Sequence, residues 1–338
     1  MAQRPLDDIR ALLASMPKAD AKAIAGAQAR QAQLTKPAGS LGRLEEIAIF
    51  MAGWQGTDRP HADKPLVAVF AGNHGVVKHG ISPFPPSVTA AMVANFQHGG
   101  AAINQLCKTF DAGLKVYELA LEIPTGDITC EPALDEKTCA GTMAFGMEAL
   151  ADEPDLLVLG EMGIGNTTVA AAIYHALYGG TAQDWVGRGT GVDDEGLKRK
   201  ADAVRAAVAF HKPHLGDPLE VLRRLGGREI AAMAGAILGA RQRRTPVLLD
   251  GFVVCAAAAV LHAFDASALD HCLAGHVSAE AAHAAALKRL GKQPLLSLGM
   301  RLGEGSGAAL AIGIVKAALA CHNGMATFAE AGVAGKEE

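Results

Sequence analysis

Glycine constrains this chain more than any other residue type. Its 39 glycines are about 12% of 338 residues, against about 7% in ordinary proteins. They form no repeat and cluster instead just after short apolar runs, at Leu66–Phe70, Lys115–Leu121, Asp155–Leu159, Pro246–Leu249, Leu269–Leu273 and, weakly, Leu295–Leu298. Helical patterns lie between them, at Val88–Phe110, Thr167–Leu177, Leu197–His211, Arg228–Arg241 and Ala279–Leu290. Continuous apolar runs, unlike alternating ones, belong to strands covered on both faces. Strand–helix alternation with long crossovers therefore predicts an α/β protein with a parallel sheet wound on both sides. The Ala-rich residues 1–55 read as helix, interrupted by Lys36-Pro-Ala-Gly-Ser-Leu-Gly42.

Ligands of such sheets bind beyond the carboxyl ends of the strands. The segments that follow the runs are Ala71-Gly-Asn-His-Gly75, Gly160-Glu-Met-Gly-Ile-Gly-Asn-Thr-Thr168, Asp250-Gly-Phe252 and Gly303-Glu-Gly-Ser-Gly307. The second is either a plain β–α turn or an anion site made of outward N–H groups and a helix dipole, with Asn166 and Thr167 as caps. Glu161 repels phosphate and so needs another task, such as facing developing positive charge. Gly303–Gly307 repeats the theme, with Ser306 as N-cap of a helix Gly307–Cys321 and Glu304 at its N-terminus. Glu304 is there either a capping carboxylate or a chemical group. Two acids in glycine-lined crevices suit a reaction that passes through a cationic centre or removes a proton.

Other classes are excluded by composition and spacing. Lys plus Arg number 31 against 35 Asp plus Glu, so no broad basic face exists for nucleic acid or an anionic membrane. Six scattered cysteines without a C-x-x-C pair read as reduced thiols of a cytoplasmic protein. The opening MAQRPLDDIRALL carries acids where a signal peptide is apolar. Val247–Phe264, interrupted by Asp250 and Gly251, reads as a strand running into a buried helix. No G-x-x-x-x-G-K-[ST] is present, and the Gly160 cluster reads G-x-x-G-x-G rather than the dinucleotide fingerprint G-x-G-x-x-G. The paired acids of a diphosphate-using phosphoribosyltransferase are also missing, since Leu248-Leu-Asp-Gly-Phe252 has one acid, which orients a loop or caps a backbone. His211-Lys-Pro-His214 falls short of the three or four ligands of a stable metal site. His74 suits a site role or a structural hydrogen bond equally, and Lys200 on its own reads as a solvated helix face.

Taken together, Lys36–Gly42, Asn73-His-Gly75, Ser82-Pro83, Val88-Thr89-Ala90, Gly160–Thr168, Pro246–Phe252, Ser278-Ala-Glu280 and Met300–Leu310 resemble the nicotinate-nucleotide:dimethylbenzimidazole phosphoribosyltransferase family over nearly the whole chain. The resemblance implies a Rossmann-like domain, here 60–300, and a small helical domain made of 1–59 with 301–338. It implies a cytoplasmic homodimer with shared active sites, small-molecule substrates, and no metal or other cofactor. It also implies Glu304 as catalytic base, with Glu161, Ser82, Gly163, Lys200 and Leu302 in the active site beside Gly303. The sequence departs from the family at Asn73, where relatives often have Asp, and at Met92, aligned with a glutamine of the benzimidazole site.

The implied reaction moves phosphoribosyl from nicotinate mononucleotide to 5,6-dimethylbenzimidazole. Nicotinate is already a pyridinium and leaves without a general acid, while the azole N–H must lose a proton to one carboxylate, Glu304. Glu161 would stabilise an oxocarbenium-like transition state. Backbone N–H groups from Gly163 through Gly165 and Asn166 to Thr167, with Lys200, would hold the monophosphate. Met92 and Pro83-Phe-Pro-Pro86 are the expected walls of the base pocket. The competing readings are a nucleotide-binding protein without activity and a nicotinamide-cofactor dehydrogenase.

Overall fold

The computed structural model describes residues 4–334. Residues 1–3 and 335–338, part of the expected terminal domain and of the opening segment read for a signal peptide, lie outside the described residues. Six strands form one sheet: β1 (Pro65–Ala71), β2 (Gly113–Glu118), β3 (Leu156–Met162), β4 (Val247–Leu249), β5 (Cys272–His276) and β6 (Pro294–Leu296). Their spatial order is β2-β1-β3-β4-β5-β6 and every pairing is parallel. The chain moves outward from β1 to β2, then returns past β1 to lay down β3. That reversal opens a crevice beyond the carboxyl ends of β1 and β3, where ligands of doubly wound sheets sit.

The helices are α1 (Asp7–Ala14), α2 (Ala21–Gln33), α3 (Arg43–Gln55), α4 (Ser87–Gln97) and α5 (Ala102–Thr109). After β2 come α6 (Glu136–Met147), α7 (Asn166–Tyr178), α8 (Ala182–Trp185), α9 (Asp194–His211), α10 (Pro218–Leu225) and α11 (Arg228–Gln242). The last are α12 (Phe252–Phe264), α13 (His283–Arg289), α14 (Ser306–Gly324) and α15 (Phe328–Ala331).

Successive strand residues point to opposite faces, and both faces are apolar. Ala68, Phe70, Leu157, Leu159, Val247 and Leu249 meet α6, α7, α11 and α12, while Val67, Val69, Leu156, Val158 and Leu248 meet α3, α5 and α14. This explains the continuous apolar runs. The alanine and glycine content permits close helix packing: a Cβ added at Gly235 of α11 would strike the Met143 carbonyl of α6. α14 is long and apolar enough to cross a membrane by length and composition, yet Ala308, Ala311, Ile312 and Val315 are buried on the sheet. The terminal segments do not share one layer. α1 buries Ile9 and Leu13, and Leu6 at its N-cap, in the core that contains α11, whereas α3 joins α14 on the other face.

Three expectations are corrected. The helix read over 88–110 breaks into α4 and α5 at Gly99-Gly100, where Gly99 has φ +77°. The strand read at 269–273 lies three residues later, because residues 266–269 form a 3₁₀ turn. The helix read at 279–290 shortens to α13, which leaves Val277–Ala282 as a loop at the carboxyl end of β5. Val247–Phe264 is, as read, a strand followed by a buried helix.

Candidate active site

Two glycine-rich loops meet beyond the carboxyl ends of β3, β4 and β5. β3 delivers Glu161, and the chain enters α7 through Gly165 in the left-handed region (φ +93°). α14 begins in the same manner after Gly303, Glu304 and Gly305, at φ +83°, +64° and +78°. Glycine adopts this conformation freely, whereas glutamate does so at a cost of about 1–3 kcal/mol. Glu304 is therefore fixed by its surroundings. A Cβ at Gly160 would lie 2.6 Å from the Glu304 carbonyl carbon, and one at Gly303 would strike the Glu161 carboxylate. Each loop keeps a glycine where the other loop presses against it.

No side chain caps α7 or α14 at its glycine N-cap, which corrects the capping roles read for Asn166, Thr167 and Ser306. Asn166 Nδ2 donates to Glu161 Oε2. Thr167 Oγ1 accepts a hydrogen bond from Lys200 Nζ (2.9 Å), and Ser306 Oγ donates back to Gly303 O (2.7 Å). The N-terminus of α14 is held from a distance: Asp250 Oδ1, just past β4, accepts from Ala308 N–H at 2.8 Å and lies 3.2 Å from His276 Nε2. Of its two readings, Asp250 fills the backbone-capping one.

The acids of this crevice have unusual proton affinities. Burial pushes Glu304 up to about 7, and the Asp250 charge adds to the effect. Burial pushes Glu161 up to about 8, against the Asn166 hydrogen bond and with the charges of Asp250, Glu229 and Glu304. Glu304 is 5% exposed, and its Oε2, like Asp250 Oδ2, is enclosed without a hydrogen-bond partner. Such clustering of perturbed acids in a cleft marks functional sites. Lys200 is 1% exposed, not a solvated face; it donates to Thr167 and to Gly187 O (2.8 Å), and burial lowers its pKa to about 8.

Between the loops lies a cavity of about 320 Å³ lined by Glu161, Gly163, Asn166, Thr167, Leu302 and Gly303. Small-ligand pockets span roughly 300–1,000 Å³. His276, Ser278, Glu280, Arg301 and Phe84 also line it. Away from it, His74 Nε2 sits 2.7 Å from Glu229 Oε1 with both side chains fully buried, and Asn73 Nδ2 donates to Leu121 O at 2.9 Å. Among the described residues, His61, Asp63 and Asp155 could hold a metal ion, their ligand atoms lying within 4.8 Å of one another. They sit at the amino ends of β1 and β3, opposite the cavity. His211 uses Nε2 on Glu131 O (3.2 Å) rather than on a ligand pair with His214.

The sequence profile of the DBI_PRT family, described as a phosphoribosyltransferase, matches residues 16–333. The chain belongs to this phosphoribosyltransferase family. It is similar to the nicotinate-nucleotide–dimethylbenzimidazole phosphoribosyltransferase of Methylocella silvestris, 70% identical over 332 residues that cover 98% of this chain and 97% of that one. The enzyme of the same name from Rhizobium rhizogenes is 67% identical over 332 residues, 98% of each chain. The crystal structure of CobT from Thermus thermophilus matches with a TM-score of 0.86 and 41% identity, over 93% of this chain and 99% of that one.

For a phosphoribosyltransferase site, the expected residues divide into three groups. Six of them line the cavity, as described. Glu304 follows the lining residue Gly303, Gly165 and Lys200 adjoin the lining residues Asn166 and Thr167, and Ser82 reaches the rim through Thr190 Oγ1 at 3.3 Å. Met92 does not line it: it is half-buried on α4, packed against the core under α14. Phe84 is the part of Pro83–Pro86 that lines the cavity. The sequence reading gave no site role to His276, nor to Ser278, Glu280 and Arg301, although the last three lie in motifs that carry the resemblance. Placing the end of β5 correctly would have exposed the first three as strand-end residues.

Proposed function

We propose that this phosphoribosyltransferase moves the phosphoribosyl group of nicotinate mononucleotide to 5,6-dimethylbenzimidazole, giving α-ribazole 5′-phosphate and nicotinate. The observation that carries this reading is the pair of loops at the cavity: one acid with an unpartnered oxygen, and beside it a second acid held by Asn166. An azole nitrogen attacks the anomeric carbon of the ribose. The bond from that carbon to the pyridinium nitrogen breaks, and nicotinate leaves with the electron pair. The azole N–H proton passes to Glu304, whose raised pKa keeps it basic enough to take the proton and able to release it near neutral pH. Glu161 faces the positive charge that develops at the anomeric carbon, and that charge favours its ionised form against the burial that raises its pKa. The N-terminus of α7, with Lys200 behind Thr167, suits the phosphate.

The enzyme acts, in this reading, as a cytoplasmic homodimer. Leu302 and Phe84 support this, because both stand at the cavity while 55% and 46% exposed, the surface a second copy would cover. The purified chain, given nicotinate mononucleotide and dimethylbenzimidazole, is expected to release nicotinate and form α-ribazole phosphate in equal amounts. Nicotinate mononucleotide left intact under these conditions would refute the assignment.

A further inference from the structure

Glu280 lines the cavity but has no part in the reaction as described above. Among the described residues its carboxylate accepts no hydrogen bond and forms no ion pair. Its backbone is nonetheless held in place. Its N–H donates to Ser278 Oγ (3.2 Å), and Ser278 N–H donates to Nδ1 of buried His283 (2.8 Å). With Nδ1 accepting, the His283 proton sits on Nε2, which donates to Cys255 Sγ at 3.3 Å. The Glu280 carboxylate lies against Gly187, where any Cβ would strike it. On the far side of Gly187, its carbonyl accepts from Lys200, the cation behind Thr167.

A carboxylate in a substrate cavity that accepts no hydrogen bond is an acceptor awaiting donors. The bound molecules of the proposed reaction offer few. The phosphate and the nicotinate carboxylate are anions that Glu280 would repel, and the azole N–H is assigned to Glu304. The ribose diol remains, with two O–H donors spaced for the two oxygens of one carboxylate. Glu161 is less suited to it, because one of its oxygens is already held by Asn166 and burial favours its protonated form.

We propose that Glu280 binds the ribose 2′- and 3′-hydroxyls and sets the enzyme's preference for ribosyl over deoxyribosyl donors; this rests on the transfer reaction proposed above. Glu280 is thus a specificity residue, and His283 positions it through Ser278.

The test compares kcat/KM for nicotinate mononucleotide and its 2′-deoxy analogue in the native chain, Glu280→Ala and Glu280→Gln. A hydrogen bond to a charged acceptor is worth roughly a 10- to 150-fold rate difference. The intrinsic reactivity of the deoxy sugar cancels when the ribo-to-deoxy ratio of each variant is divided into that of the native chain. The expected ratio falls by about 10-fold or more in Glu280→Ala, because the ribo substrate loses both hydroxyl contacts and the 2′-deoxy substrate only the one at the 3′-hydroxyl, with a smaller fall in Glu280→Gln. A ratio unchanged in both variants overturns the proposal, even if both are slower. Absence of any turnover by the native chain would instead refute the transfer reaction itself, so the two failures are distinguishable.

Discussion

The loop after β3 and the loop before α14 share one pattern, glycine–glutamate leading to a helix capped by left-handed glycine, yet they leave their acids in different states. Glu161 lies within β3, one residue from its carboxyl end, and one of its oxygens is engaged by Asn166. Glu304 sits in a left-handed backbone conformation with an enclosed, unpartnered oxygen beside Asp250. The same motif thus supplies a carboxyl group held by a side-chain donor in one loop and a free proton acceptor in the other. The difference lies in what surrounds each glutamate, not in its neighbours along the chain.

Replacing Glu304 by Gln should break this division most severely. General-base catalysis is worth roughly 10²–10⁴-fold, and a loss of that size is expected in steady-state transfer, with the affinity for nicotinate mononucleotide retained because the phosphate contacts lie elsewhere. Glu161→Gln should cost less, about 10- to 150-fold, the worth of one charge-assisted interaction with the cationic transition state. If the two losses come out reversed, the roles of the loops must be exchanged.

A gentler effect concerns stability. Both acids hold protons more tightly when folded than a free carboxylate does. The folded state therefore binds more protons than the unfolded one, and stability falls as pH rises from about 4.5, the ordinary value, to about 7 for Glu304. Glu304→Gln cannot ionise, so its denaturation midpoint should gain on the native chain between pH 5 and pH 8. A constant difference across that range would mean that Glu304 titrates normally. The smallest effect is expected at Met92: Met92→Gln should leave the choice among benzimidazoles unchanged, since that side chain packs into the core and not on the cavity. A shift in base preference would place α4 closer to the substrate than its packing allows.

The parallel sheet was readable because buried strands need uninterrupted apolar runs, and both acid loops were readable because their glycines follow those runs directly. Lys200 was less so. A lysine amid charged helix residues looks solvated, and only the approach of α9 to Gly187 and Thr167 buries it. Asp250 had an ambiguous sequence context, and its helix-capping role spans 58 residues to Ala308. His276 and Glu280 were lost to a three-residue error in β5, since apolar periodicity does not distinguish a 3₁₀ turn from the strand that follows it. Met92 was placed by alignment to a family position, which carries no information about the direction of its side chain.

The central claim, that Glu304 takes the azole proton, has a direct test in a base with no proton to give. A dimethylbenzimidazole methylated on one ring nitrogen can still attack through the other, and it yields a product from which nothing need be removed. Transfer rates of the native chain and Glu304→Gln would be compared with each base. The account predicts a native-to-variant ratio of about 10² or more with dimethylbenzimidazole, collapsing to near unity with the methylated base. An equally large ratio with both bases would contradict it, and would mean that Glu304 acts by holding α14 and the cavity in shape.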